Sequence, residues 1–213
     1  MQSRRTMILL FALGLLILSL AISGIKPYDR ATWIMEVLPV VLAIPILWRT
    51  YRRFPLTPLL YGGIFLHALV LILGGAYSYA RVPLGFEIAD WLGLQRNPYD
   101  KIGHFFQGFV PSLIAREILI RGQYVRGRKM LFFVVICIVL AISATYELIE
   151  WAAALWLEQG ADEFLGTQGD MWDTQSDMFC AWLGAVTAWL LLTRWHDRQI
   201  QQIEHRGVLP IAF

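Results

Sequence analysis

Charge is scarce in this chain. Only 16% of its 213 residues are Asp, Glu, Lys or Arg, and the formal net charge is +2. So small an excess gives no basic surface for nucleic acid. Cysteine is nearly absent. Cys137 and Cys180 both lie inside apolar runs, which excludes a CxxC redox motif and a disulfide framework and leaves two small packing residues. The chain also lacks a P-loop, a dinucleotide-binding glycine fingerprint, a G-x-S-x-G elbow, an H-E-x-x-H helix and any persuasive Ser-His-Asp order. There is no internal repeat, no low-complexity tract and no soluble domain.

What fills the chain instead is hydrocarbon. Hydrophobic residues make up 57% of it and the mean hydropathy is +0.55, the profile of an integral membrane protein. Nine Trp and eight Tyr suit two interfacial aromatic belts. Six apolar runs cover residues 7–25, 33–48, 57–80, 102–120, 130–157 and 173–193. Most have the 17–25 residues a helix needs to cross a bilayer; the second is shorter and holds Pro39 and Pro45. The fold expected is all-α: one domain, residues 1–213, made of six transmembrane helices with both termini cytoplasmic. A cleaved signal peptide is the competing reading of the first run. That run is long for one, and no clear A-x-A site follows.

Lys and Arg set the orientation. With the N-terminus in the cytoplasm, the inside segments carry Arg4, Arg5, Arg49, Arg52, Arg53, Arg121, Arg126, Arg128, Lys129, Arg194, Arg198 and Arg206. The outside loops carry only Lys26, Arg30, Arg81 and Arg96. Every inside segment obeys the positive-inside bias. Of the outside loops, residues 81–99 read either as a short amphipathic surface helix or as an ordered loop with one helical turn. Residues 158–172 are acidic and glycine-rich but lack EF-hand spacing.

Six ionisable residues stand out against this background: Asp100, His104, Glu147, Glu150, Asp173 and Asp177. An ionised carboxylate in hydrocarbon costs about 2.5–3.5 kcal/mol on insertion scales, so each must be paired, wet or metal-bound. They fall in three pairs near the ends of the last three runs. Asp100 and His104 are four apart and share a helix face, where Asp100 would fix the imidazole tautomer. The alternative is a capping Asp and an interfacial His satisfied by water or headgroups. Glu147 and Glu150 share a face with Ser143, and two carboxylates so placed repel each other unless a proton or cation intervenes. Asp173 and Asp177 share a face, with Asp173 also suited to capping. Ala181, Gly184, Ala185 and Ala188 continue that stripe, and small residues let helices pack closely. That face therefore points into the bundle.

In the expected topology all three pairs meet one leaflet. Five carboxylates and a His form an oxygen-rich set suited to Mg²⁺, Mn²⁺ or Ca²⁺, with Zn²⁺ or iron allowed by the His. Two weaker signals remain. His67 in the third run reads as a hydrogen-bonded packing residue. Arg116 and Glu117 read as an interfacial ion pair.

Three strings carry a resemblance. Residues 99–109 (YDKIGHFFQGF), 145–151 (TYELIEW) and 166–177 (GTQGDMWDTQSD) resemble the YjdF family of bacterial inner-membrane proteins. The Asp-Lys-x-x-His-Phe start, a Glu in the next span and an Asp leading to a Gly are similar to the wider VanZ-like group. Where that group often shows Asn four residues after the Asp, this chain has Ala181, so glycopeptide resistance is not implied. The resemblance implies a six-span, multi-pass protein of the bacterial inner membrane.

Three functions compete. The first is an enzyme acting on a lipid or lipid-linked headgroup at the outer leaflet. In it His104, Glu147, Glu150, Asp173 and Asp177 bind a divalent metal, Asp100 orients His104, and Glu147 or Glu150 is general base. The second is a cation- or proton-coupled transporter or binding protein, which needs polar residues continuing inward past Ser143. The third is a structural or regulatory protein whose polar cluster ties helix ends together. The nearby cations, Lys101 and Arg96, are few for five acids.

Overall fold

The computed structural model describes residues 2–156 and 167–205. It contains α1 (Gln2–Ser23), α2 (Arg30–Thr50), α3 (Pro58–Tyr77), α4 (Pro83–Leu92), α5 (Tyr99–Arg121), α6 (Arg128–Trp156) and α7 (Asp173–Glu204), and the described residues include no strand. Six of the seven helices have 20 residues or more. At about 1.5 Å per residue each is long enough to span a hydrocarbon core of about 30 Å. The chain is thus an all-α polytopic membrane bundle.

Five of the six are also apolar enough to cross a membrane: α1, α2, α3, α6 and α7. The exception, α5, carries Asp100, Lys101, Arg116, Glu117 and Arg121 at its ends. It tolerates them because it is the central helix, packed against α3, α6 and α7. Its contact with α7 is the most extensive in the bundle. Gly108 meets the Ala181 backbone there, and Gly184 meets the backbone of Phe105. The stripe Ala181, Gly184, Ala185 and Ala188 is buried in that seam, as its small side chains require. Large apolar side chains such as Phe11, Leu190 and Leu191 lie on the outside, where lipid covers them.

Local chemistry sets the ends. Asp29 caps α2 by accepting from Thr32 N at 2.7 Å. Thr57 caps α3, with Pro58 at its first position, and Gly93 (φ 67°) closes α4. The segment after α3 therefore contains the surface helix, not the single-turn loop. The acidic stretch 158–166 lies outside the described residues. Three prolines sit inside helices, Pro39 and Pro45 in α2 and Pro111 in α5. Each removes one intrahelical bond, so the carbonyl four residues earlier is freed: Met35, Val41 and Gln107.

Candidate functional site

The starts of α5 and α7 and the far end of α6 come together, and the three polar faces converge. His104 on α5 is the hub. Its Nε2 lies 3.6 Å from Asp100 Oδ1, 3.7 Å from Glu147 Oε1 and 3.9 Å from Asp177 Oδ2. All four side chains are nearly enclosed: 6% of the His104 side chain is exposed, and 13%, 9% and 3% of the acids. Candidate ligand atoms of Asp100, His104 and Asp177 lie within 4.8 Å of one another, and so do those of His104, Glu147 and Glu150.

The other ring nitrogen decides the character of Nε2. Nδ1 sits 3.2 Å from Gln107 Oε1, an acceptor, so Nδ1 carries the hydrogen. In the neutral ring the Nε2 lone pair then faces three carboxylates. An imidazolium would resolve the repulsion by hydrogen bonding, but 3.6–3.9 Å is beyond the N–H···O range of about 2.7–3.2 Å. A cation between the groups resolves it at the observed spacing. A tetrahedral centre with metal–ligand distances of about 2.0–2.3 Å sets its ligands about 3.3–3.8 Å apart. Two buried oxygens, Asp100 Oδ2 and Glu147 Oε1, have no hydrogen-bond partner.

This geometry revises two expected roles. Asp100 approaches Nε2, not Nδ1, and the partner of Nδ1 is Gln107. Asp173 does not cap α7, because Trp172 holds the N-cap position without a side-chain bond. Asp173 instead accepts from Lys101 Nζ at 2.7 Å, and Asp177 Oδ1 accepts from the same ammonium at 2.7 Å. Lys101 is thus the cation of the cluster. Arg96 is drawn away to the surface, where it pairs with Asp170 at 2.6 Å and donates to Thr167 O at 3.0 Å. That guanidinium holds the exposed Asp170 carboxyl below the usual aspartate range.

Two cavities flank His104. The larger, about 530 Å³, lies between α6 and α7 and is lined by Glu147, Glu150, Asp173, Thr174, Trp151 and Met178 among others. The smaller, about 160 Å³, runs inward between α2, α3, α5 and α6. Glu150 lines both.

The chain aligns over residues 8–198 with the family described as "Predicted membrane protein (DUF2238)". It belongs to that family. It is 64% identical over 187 residues to the Inner membrane protein YjdF of Escherichia coli (strain K12), covering 88% of this chain and 90% of that protein. No solved structure matches it significantly. This DUF2238 protein is accordingly a multi-pass protein of the bacterial inner membrane, as the three strings implied.

Several site residues escape a reading of the sequence. Glu36 of α2 is buried and accepts from Tyr146 Oη at 2.7 Å; the Tyr146 ring stands edge-on to His104. A lone Glu in an apolar run has no partner at helical spacing to flag it. Its only signal is depth, two turns inside a spanning helix. His67 is a second departure. Its Nε2 is buried without a partner, and it stacks on Phe106 beside the inner cavity. It is not a hydrogen-bonded packing residue at that nitrogen. Arg116 and Glu117 are a third: they are not an ion pair with each other. Arg116 bonds His196 Nδ1 at 3.1 Å and pairs with Asp197. Glu117 bonds His196 Nε2 at 3.0 Å, accepts from Arg121 Nη1 at 2.8 Å, and takes the Thr57 backbone N–H at 3.2 Å. Adjacent residues on a helix point about 100° apart, so each finds its own partners.

Proposed function

We propose that this protein holds a divalent cation at the periplasmic end of its bundle, and that the cation acts on the headgroup of a lipid or lipid-linked substrate. One observation carries the cation: a histidine nitrogen within 3.6–3.9 Å of three enclosed carboxylates from three helices, with two carboxylate oxygens lacking partners. The Lys and Arg asymmetry supports the orientation, with both termini cytoplasmic and the cluster on the opposite side. That depth is where headgroups lie.

His104, Asp100, Glu147 and Asp177 are the ligands of this reading. Asp173, tied to Lys101, supports Asp177 from outside. The wide spacing and the nitrogen ligand favour tetrahedral Zn²⁺ over octahedral Mg²⁺, whose ligands would sit closer, about 2.9 Å apart. The cation would polarise a phosphoryl or carbonyl oxygen or activate water. Glu150, at the wall shared by both cavities, is placed as general base. Neither cavity is lined by Lys or Arg among the described residues, so an anionic headgroup would need the metal to neutralise it.

The test is elemental analysis by mass spectrometry on detergent-purified protein, wild type beside Glu147→Gln and Asp177→Asn. Stoichiometric metal in the wild type and none in either variant is the expected result. Folded wild-type protein without metal above background sinks the proposal. The inward cavity favours a second reading, a cation- or proton-coupled carrier, because it continues the polar lining past the cluster to His67. Ion flux in proteoliposomes, absent for the enzyme and present for the carrier, separates the two.

A further inference from the structure

The inner cavity has a composition of its own. Three carboxylates line it: Glu36, Asp100 and Glu150. His67, His104 and Gln107 add polar atoms, and no Lys or Arg takes part among the described residues. Its unsatisfied atoms include the His67 Nε2 and Asp100 Oδ2, both buried without partners. Pro111 frees the Gln107 carbonyl on the same helix face of α5. Glu36 has phenols for partners, Tyr146 at 2.7 Å and Tyr79, and no Lys or Arg pairs with it among the described residues. The remaining walls are the rings of Tyr79 and Tyr146 and the apolar side chains of Pro39, Leu71, Pro111 and Ile142.

Such a space is rich in acceptors and negative charge, poor in donors, and walled by rings. Acceptors and carboxylates select a ligand with N–H donors and a positive charge, and aromatic faces attract the same charge. They repel phosphates and carboxylates. The volume, about 160 Å³, is that of roughly five waters. A bare metal ion would be loose in it, and the apolar walls would face nothing. An ammonium bearing one or two methylene groups fills the volume and touches both kinds of wall.

We infer that this cavity is a second binding site, for a small organic ammonium ion of the ethanolamine type, with Glu36 as its charge partner. Glu36 and Glu150 hold the ammonium, His67 accepts a hydrogen bond from it, and Leu71 and Ile142 cover its methylenes. The site adjoins the proposed cation centre, whose Asp100 and His104 also line this cavity, while Glu36 and His67 belong to it alone. The ammonium is either a free amine or the headgroup of a phospholipid.

Thermal unfolding of the full chain in maltoside tests the assignment, with ethanolamine against ethylene glycol, its neutral counterpart, and against NaCl at equal concentration. A saturable rise in the midpoint with ethanolamine alone is expected, with the apparent affinity at least tenfold weaker in Glu36→Gln. Glu150→Gln supplies the same comparison should Glu36→Gln not fold. An equal response to ethylene glycol or NaCl overturns the inference, and so does an undiminished response in folded variants. Nanodiscs of phosphatidylethanolamine against phosphatidylglycerol, without free amine, identify the source. A rise confined to phosphatidylethanolamine assigns the headgroup, and a rise with free ethanolamine in lipid-free detergent assigns the soluble amine. Metal content measured on the same samples keeps the two proposals apart. Metal without an amine response removes only this site, and an amine response without metal removes only the cation centre.

Discussion

Gly108→Ala is the sharpest perturbation of the site that touches none of its polar residues. A Cβ on Gly108 would lie 1.7 Å from the Ala181 carbonyl oxygen and 2.7 Å from Ala181 Cα, against 3.4 Å or more for an ordinary contact. The obstacle is backbone, so no side-chain rotation relieves it. α5 and α7 must separate locally by about 1.5 Å, and overpacking of this kind typically costs about 1–3 kcal/mol. For a chain of this length that is a fall of about 2–12 °C in the unfolding midpoint. His104 and Asp177 each sit one helical turn from this contact, Gly108 and Ala181 being their i+4 residues. A 1.5 Å parting carries Asp177 out of reach of both Nε2 (3.9 Å) and Lys101 Nζ (2.7 Å). Metal content should therefore fall with stability, including in the fraction that remains folded. Gly62→Ala is the control, since nothing lies within 4 Å of its Cβ. Thermal unfolding in detergent, with size-exclusion chromatography and elemental analysis on the folded peak, reads both effects. A Gly108→Ala protein that melts with the wild type and keeps its metal would refute the reasoning.

Lys101→Met removes the ammonium that Asp173 and Asp177 share, leaving two enclosed carboxylates uncompensated. The side chain is 28% exposed, so the loss is at the low end for buried pairs, about 3 kcal/mol, and saturating Mn²⁺ or Zn²⁺ should recover part of it in a melting experiment. A variant as stable as the wild type counts against that role. Asp170→Asn tests the surface tie. Arg96 lowers the Asp170 pKa, so the ion pair contributes above the ordinary aspartate value of about 3.9 and is lost as pH falls through the depressed one. The small stability gap between wild type and Asp170→Asn should close on acidification from pH 7; a widening gap contradicts the sign. Glu117→Gln should cost about 3–5 kcal/mol without changing the metal content of the folded fraction. Glu147→Gln should stabilise metal-free protein by about 1 kcal/mol, a rise of about 2–4 °C in the midpoint, and a fall there would favour a purely structural cluster.

Hydropathy made the long helices legible because a spanning segment must satisfy its backbone internally and cover it with apolar side chains. The rule is blind to helices wrapped by other helices. α5, visible in the sequence as the apolar run 102–120, falls short over its full length because of the charged residues at its ends. The pairs at i,i+3 and i,i+4 were legible from their spacing, as was the small-residue seam beneath Asp177. Glu36 and Tyr146 were not. Their relation spans 110 residues and two helices, and neither helix carries a periodic sign of it. The partners of Arg116 and Glu117 were hidden likewise, since His196 and Asp197 lie about 80 residues away, on the polar extension of α7 beyond residue 193.

The two ends of the bundle answer the same physical demand in opposite ways. At one end Arg116 and Arg121 face Glu117 and Asp197, with His196 bonded on both nitrogens between them. Charges balance, and Glu117 accepts from three directions. That is how a buried network that only holds helices together is built, because every unpaired member would cost free energy. At the other end Glu36, Asp100, Glu147, Glu150, Asp173 and Asp177 gather around His104, with Lys101 as the only committed cation among the described residues. Carboxylate oxygens there stay unpartnered, and a histidine nitrogen is surrounded at distances too long for hydrogen bonds. At the first end every charge has an opposite partner, although Arg116 Nε is buried without a hydrogen bond. An unsatisfied network of the same residue types, in the same bundle, is what the two proposed ligands would complete: a divalent cation at His104 and an ammonium beside Glu36. Hence the opposite signs expected for Glu117→Gln and Glu147→Gln: the first breaks paired buried charges, and the second relieves carboxylates that only the proposed cation would compensate.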